Sequence, residues 1–294
     1  MAYVNHNGVD LWYEVKGRGH PLVLIGGFAL VHDQFAFCDA ALQKHFRTVH
    51  WNYQGVGKSS WTQTAPPNLE QFVDDLAAVL DAAGIKKAAI WGTSTGSVIG
   101  MRFAAKFPDR VSALVTYPWF RTDDTWRGIF EAAYLCGKYY GVEAMSRLFA
   151  GVVLPTELLY SPAGIEYEKW AKIKYRENLN PATLGSVIQA YKEVDLTGDI
   201  PRLKCPTMLL MGNESALNED QNMESASYGR LIGDFIDLLP DVEIATIEGA
   251  GSTYCMITKP DACVAAVTDF VKRVTRTGPM KKKAASEKGR RKAG

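Results

Sequence analysis

The 294-residue sequence has five histidines, His6, His20, His32, His45 and His50, and none beyond residue 50. Chemistry in the rest of the chain must therefore find its proton acceptors among carboxylates, phenols, thiols and amines. Cysteine is scarce too. Cys38, Cys136, Cys205, Cys255 and Cys263 are odd in number and widely spaced, with no C-x-x-C pair, which argues against a disulfide framework or a thiolate metal site and for reduced, buried thiols. No apolar run approaches the length of a membrane span. The opening "MAYVNHNGVDLWYEVKG" has neither the basic start nor the continuous apolar core of a secretory signal, so a cytoplasmic protein without a transmembrane segment is expected. No internal repeat is visible.

What the chain does have is material for a sizeable core, 47% hydrophobic against 22% charged. Its net charge of +1 conceals a segregation. Residues 281–294, "KKKAASEKGRRKAG", carry seven Lys or Arg against one Glu, making the tail +6 and the remainder −5. Such a tail buries too little apolar surface to offset its ordering entropy and is expected to be disordered. Contact with phosphates of nucleic acid or an acidic membrane is conceivable for any basic run. One short run is unspecific, so a solvated tail is expected, with no specific nucleic-acid partner.

Periodicity outlines the body. "AYVNHNGVDLWYEVKG" reads as two strands joined through Asn7-Gly8. "PLVLIGG" (Pro21 to Gly27) is a short apolar strand running into glycines, followed by a helix over 33–46 and a strand at "FRTVHWN". A helix over 69–83, the strand "KAAIW", a helix over 95–107 and the strand "VSALVTY" come next. Strands alternating with helices, some apolar on both faces, predict an α/β protein with a mostly parallel sheet covered on both sides. From about Trp119 to Thr197 the alternation gives way to aromatic-rich helical segments. It resumes with "PTMLLMG", a helix over 225–239, the strand "VEIATIEG" and a closing helix over 260–274. The reading divides the chain into a core of residues 1–118 and 198–276, a helical cap of 119–197, and the tail of 277–294.

Within that outline Gly92-Thr93-Ser94-Thr95-Gly96 links a strand to a helix, the context a G-x-S-x-G nucleophile elbow requires. Small flanking residues let the backbone turn sharply and expose the serine hydroxyl at the sheet edge above a helix N-terminus. With this motif in place, residues 3–274 resemble the α/β-hydrolase superfamily in order of elements, position of the insertion and size. The resemblance implies Ser94 as nucleophile, an oxyanion hole from the backbone N–H groups of Phe28 and Thr95, and no metal or organic cofactor.

The chain departs from that family where a triad would be completed. The acid position, three residues beyond the glycine of "PTMLLMG", is Ser215, and the histidine position in "EGAGSTYC" is Ser252. All histidines precede Ser94, so the usual order of Ser, acid, His is not available. Gly26-Gly27-Phe28 stands where relatives often have His-Gly, and "NYQGVGKSS" puts Asn52 and Gln54 where a charged pair is frequent. "GVGKSS" lacks the upstream glycine of a phosphate loop, and Trp61 and the "PP" after it break any following helix, so nucleotide binding is rejected. His32, in the loop after the first parallel strand, is the candidate substitute base, with Glu214, Glu219 and Asp220 as groups that could orient or replace one. Gly27, Trp119 and Tyr254 are expected to line the substrate pocket.

The aromatic content of the insertion implies a small hydrophobic ligand between cap and sheet. Two functional classes remain open: an enzyme acting on an ester, lactone, thioester or ketone with an altered hydrolase or lyase-like chemistry, and an inactive hydrolase-fold protein that binds and signals. Oligomeric state is open.

Overall fold

In the computed structural model the described residues are 1–62, 67–154, 156–214, 223–251 and 254–276. Eight strands form one sheet in the order β1-β2-β4-β3-β5-β6-β7-β8. They are β1 (Ala2–His6), β2 (Val9–Gly17), β3 (His20–Ile25), β4 (Phe46–Trp51), β5 (Ala88–Gly92), β6 (Val111–Thr116), β7 (Thr207–Glu214) and β8 (Glu243–Gly251). β1 and β2 pair antiparallel, β2 lies antiparallel to β4, and the remaining neighbours are parallel. The hairpin turns at Asn7 and Gly8 with φ of 52° and 82°, the conformation for which Asn-Gly is suited.

Alternation along β3 shows how the sheet is buried on both faces. Val23 and Ile25 join one core with Phe72 and Val79 of α2 (Leu69–Ala82) and Val98 and Ile99 of α3 (Thr95–Lys106). Leu22 and Leu24 join the opposite core with Leu42 of α1 (Asp39–Leu42) and Val267 and Phe270 of the C-terminal helix over Pro260–Arg276. Asn68 starts α2 through a reciprocal capping box with Gln71.

The expected helix over 33–46 is a correction. Phe35, Cys38 and Leu42 are buried at helical spacing, but the chain forms a 3₁₀ turn over Val31–Phe35 and then the short α1. The bonds Ala36 N–H to Asp33 O and Cys38 N–H to Phe35 O span three residues. Apolar period alone does not distinguish such tight turns from an α-helix.

Between β6 and β7 run α4 (Asp124–Tyr140), α5 (Val142–Val153), α6 (Thr156–Leu159), α7 (Pro162–Asn178) and α8 (Leu184–Lys192). The chain closes with α9 (Met223–Leu238), α10 (Cys255–Thr258) and α11 (Pro260–Arg276). The C-terminus of α7 is tied to the loop after β3. Asn178 Nδ2 donates to Leu30 O at 3.2 Å and to Asp33 Oδ2 at 3.1 Å, and the Gly57 N–H donates to Asn178 O at 2.7 Å. The five cysteines are free, with Cys38, Cys255 and Cys263 buried and Cys136 and Cys205 half-buried. Burial pushes the Cys38 thiol up to about 12. Among the described residues no helix is long and apolar enough to cross a membrane.

Candidate active site

Ser94 stands between β5 and α3 with φ of 52° and ψ of −131°, a left-handed conformation that costs a non-glycine residue of order 1–3 kcal/mol. Its neighbours explain why the turn is possible. A Cβ on Gly92 would lie 2.5 Å from the Gly96 carbonyl oxygen, and one on Gly96 would lie 2.1 Å from the Ile25 carbonyl oxygen. Only glycine lets β3, the turn and α3 approach this closely. The Thr93 N–H donates to Ile25 O at 3.0 Å, and Ser97 Oγ reaches Gly92 O at 3.3 Å.

The serine opens into a cavity of about 20 Å³ bordered by Gly27, Phe28, Ala29, Leu30, Gln34, Phe149, Tyr175 and Tyr254. That is room for about one water. Phe149 of α5 closes it, its ring edge-on to Phe28 with centroids 5.6 Å apart. A Cβ on Gly27 would come within 3.2 Å of Ser94 Oγ, so glycine is needed there to leave the hydroxyl accessible. Gly27, Phe28, Ser94 and Tyr254, separated widely in sequence, are thus brought together.

Thr95 and Phe28 meet in a way the sequence did not suggest. The Phe28 N–H donates to Thr95 Oγ1 at 2.8 Å, so this expected oxyanion donor is engaged by a side chain of the elbow itself. The phenols around the cavity are neutral at physiological pH. Burial pushes Tyr167, Tyr175 and Tyr254 above the ordinary phenol range, and for Tyr254 hydrogen bonds from Tyr175 and Tyr167 oppose the rise. Neutral phenols donate hydrogen bonds but do not serve as bases.

The histidines are placed elsewhere. His6 Nδ1 meets Asp75 Oδ1 at 2.8 Å, His20 Nε2 meets Ser112 Oγ at 2.7 Å, His45 Nδ1 accepts from Lys272 Nζ at 3.0 Å and His50 Nε2 meets Asp39 Oδ1 at 2.8 Å. His32 borders a different cavity, of about 300 Å³, with Trp12, Asp39, His50 and Lys58. Its ring packs against Trp12 at 4.6 Å, and Asn52 Nδ2 donates to its Nδ1 at 3.0 Å. The Asn52 amide is oriented by the Lys58 N–H, which donates to its Oδ1 at 3.0 Å. The one basic lone pair of the neutral ring is therefore already used. Placement and hydrogen bonding both correct the expectation that His32 sits at the mouth of the Ser94 pocket.

Burial lowers the His32 pKa to about 4, against a smaller opposing effect of Asp33. With the folded value below the unfolded one, the stability contribution is full above about pH 6.5 and is lost as pH falls from there toward 4, because the unfolded chain takes up the proton first. His32→Ala is expected to leave ligand binding at Ser94 unchanged within about twofold and to flatten the fall in urea midpoint over that pH window. A tenfold loss of binding in the variant would return His32 to the site.

Trp119 also lies away from the Ser94 cavity. It is buried among Trp126, Phe130 and Tyr191, with ring centroids 5.4–6.3 Å away. Asn52 and Gln54 bind neighbouring loop and helix groups, Gln54 Nε2 donating to Asp75 Oδ2 at 3.3 Å. Ser215 and Ser252, with Glu219 and Asp220, lie outside the described residues, as does the tail from 277. Sequence reasoning passed over Gln34 and Tyr175, which border the cavity. Nothing in their local pattern marks them; Gln34 sits in a 3₁₀ turn and Tyr175 in an ordinary helix.

The profile of the α/β hydrolase fold family matches residues 20–131. A pimeloyl-[acyl-carrier protein] methyl ester esterase of Vibrio vulnificus is 30% identical over 217 residues, covering 71% of this chain and 81% of that protein. A putative carbamate hydrolase RutD of Azorhizobium caulinodans is 25% identical over 262 residues, covering 89% of this chain and 94% of that protein. Among solved structures, the enol-lactonase of Burkholderia xenovorans LB400 superposes with a TM-score of 0.75 at 19% identity, covering 92% of this chain and 99% of that one.

Proposed function

Because this chain belongs to the α/β-hydrolase superfamily, we propose that it takes a small, largely apolar carbonyl compound (an ester, lactone, thioester or ketone) at Ser94 and acts on it by hydrolytic or lyase-like chemistry without a serine–histidine pair. The observation that carries the reading is the Ser94 turn: a strained hydroxyl, with glycines two residues to either side, facing a small cavity that no histidine borders. Relatives named as an ester hydrolase and a carbamate hydrolase support the bond class.

A serine hydroxyl is a weak nucleophile at neutral pH unless a base takes its proton. The elbow's remaining assets are hydrogen-bond donors and exclusion of water. Donors aimed at a carbonyl oxygen stabilise charge developing there whether or not the serine is acylated, which suits polarisation of a carbonyl for addition or elimination. A second reading is a binder without turnover, favoured by the same missing imidazole and by the ring of Phe149 closing the site from the helical cover. Such a protein would signal by moving that cover.

An ester panel on purified protein, run with Ser94→Ala, separates the two. Turnover of a panel member above its uncatalysed rate, whether or not the variant keeps it, supports an enzyme. Absence of turnover together with ligand-dependent thermal stabilisation supports the binder, and absence of both sinks the assignment of the cavity.

The cavity must enlarge to admit any such ligand, and Phe149 is the group to move. Phe149→Ala is expected to lower stability by about 3 kcal/mol through loss of buried ring surface. It is also expected to favour longer acyl chains by roughly fourfold per added CH₂, the equivalent of about 0.8 kcal/mol. Binding of an alkyl phenyl ketone series to both proteins checks this; a chain-length profile unchanged from wild type would remove Phe149 as the closing group.

A further inference from the structure

The Ser94 cavity contains a donor with nothing to donate to. Gln34, on the 3₁₀ turn Val31–Phe35, is 1% exposed. Its Oε1 accepts the Gly27 N–H at 2.6 Å. A backbone N–H is met by the oxygen end of an amide, so this bond orients the whole carboxamide. The other end, Nε2, is buried without a hydrogen-bond partner, a situation that destabilises the free protein where it persists. Gln34 borders the same cavity as Ser94. The position a Gly27 Cβ would occupy is 3.2 Å from Ser94 Oγ and 3.2 Å from Gln34 Oε1, which brings the two side chains to one small space.

The turn that presents Gln34 is itself built under constraint. Val31 has φ of 43°, rare for a β-branched residue, and its N–H donates to Gly27 O at 2.7 Å. Meanwhile the Phe28 N–H, the donor the fold would ordinarily offer to a carbonyl oxygen, is held by Thr95 Oγ1. The occupied donor and the vacant one lie in the same loop.

We propose that the Gln34 carboxamide is the carbonyl-recognising donor of this site: its Nε2 N–H groups hold the oxygen of a ketone- or ester-type ligand whose carbonyl carbon faces Ser94. The assignment rests on the Ser94 cavity being the ligand site. It also gives the neutral pocket a reason to prefer a carbonyl compound over a hydrocarbon of the same shape, since only the former satisfies the buried amide.

The test compares butyrophenone with n-butylbenzene, which lacks the oxygen. Dissociation constants are measured for wild type, Gln34→Leu, Gln34→Glu and Ser94→Ala. Gln34→Leu removes donor and acceptor. Gln34→Glu, measured at the alkaline end of the protein's stable range so that the buried carboxyl is ionised, keeps an acceptor for the Gly27 N–H and offers no donor, and it carries the comparison if the leucine variant does not fold. Both Gln34 variants are expected to weaken butyrophenone about tenfold relative to n-butylbenzene. The carbonyl stretch of isotope-labelled butyrophenone, lowered on binding to wild type, is expected to return toward its unbonded frequency in both. Equal weakening of the two ligands, or an unchanged carbonyl stretch, overturns the donor role. If Ser94→Ala alters ketone binding and neither Gln34 variant does, Gln34 falls and the site assignment stands. If wild type does not prefer the ketone, both fall.

Discussion

Aryl butyrates are expected to be cleaved by this protein no faster than roughly a thousandfold above their uncatalysed rate, and Ser94→Ala is expected to leave most of that small acceleration in place. In a working serine–histidine unit, loss of either member costs on the order of a millionfold, while donors and binding alone leave about 10³ to 10⁴. Here the five histidines are held by Asp75, Ser112, Asn52, Lys272 and Asp39 respectively along the chain, and none borders the Ser94 cavity. The buried tyrosines that do border it keep their protons at neutral pH. Initial rates with p-nitrophenyl butyrate, corrected for the buffer blank, measure the effect directly. A turnover number on the order of 10 s⁻¹, ordinary for an enzyme, with a millionfold fall in Ser94→Ala, would mean that another group performs the proton transfer; the proposal of chemistry without a serine–base pair would then be wrong.

Gly96→Ala is expected to abolish folding, or to cost about 4 kcal/mol or more if folded protein is recovered. The new Cβ would lie 2.1 Å from Ile25 O, 2.6 Å from Ile25 C and 2.7 Å from Gly26 O. All three are backbone atoms. No flexible side-chain end can yield, so β3 and the first turn of α3 must part. Overpacking that relaxes through side chains costs typically 1–3 kcal/mol, and separating a helix from the central strand it packs on exceeds that range. Gly128→Ala serves as the contrast. Gly128 is exposed within α4, and its Cβ would meet nothing within 4 Å, so the substitution is expected to stabilise by up to about 1 kcal/mol through helix propensity. Urea midpoints of the two variants should move in opposite directions. A Gly96→Ala protein with a wild-type midpoint would show that the turn is looser than the close approach of these atoms implies.

The parts legible from sequence are those encoded over a few neighbouring residues. Asn7-Gly8 announced its hairpin, the apolar runs announced a parallel sheet, and the glycines around Ser94 announced a turn no other residue could make. The absence of histidine beyond residue 50 is likewise a fact of the sequence, and the proposal of chemistry without a serine–histidine pair starts from it. Each of these follows from backbone sterics, from the period of burial, or from which side chains exist.

Tertiary structure decided who meets whom. Phe28 and Thr95 are 67 residues apart, and their bond occupies the Phe28 N–H. Asn178 reaches the carbonyl of Leu30 across 148 residues and ties the end of α7 to the same loop. His32 and Trp119 are each where local pattern placed them along the chain, yet the fold turns one toward Asn52 and the other into an aromatic cluster. Gln34 looked like any polar residue of the expected helix over 33–46 until packing left it 1% exposed with one end bonded and the other end bare. Hydrogen bonds of a few ångströms depend on how distant segments pack in three dimensions, and periodicity carries no information at that range.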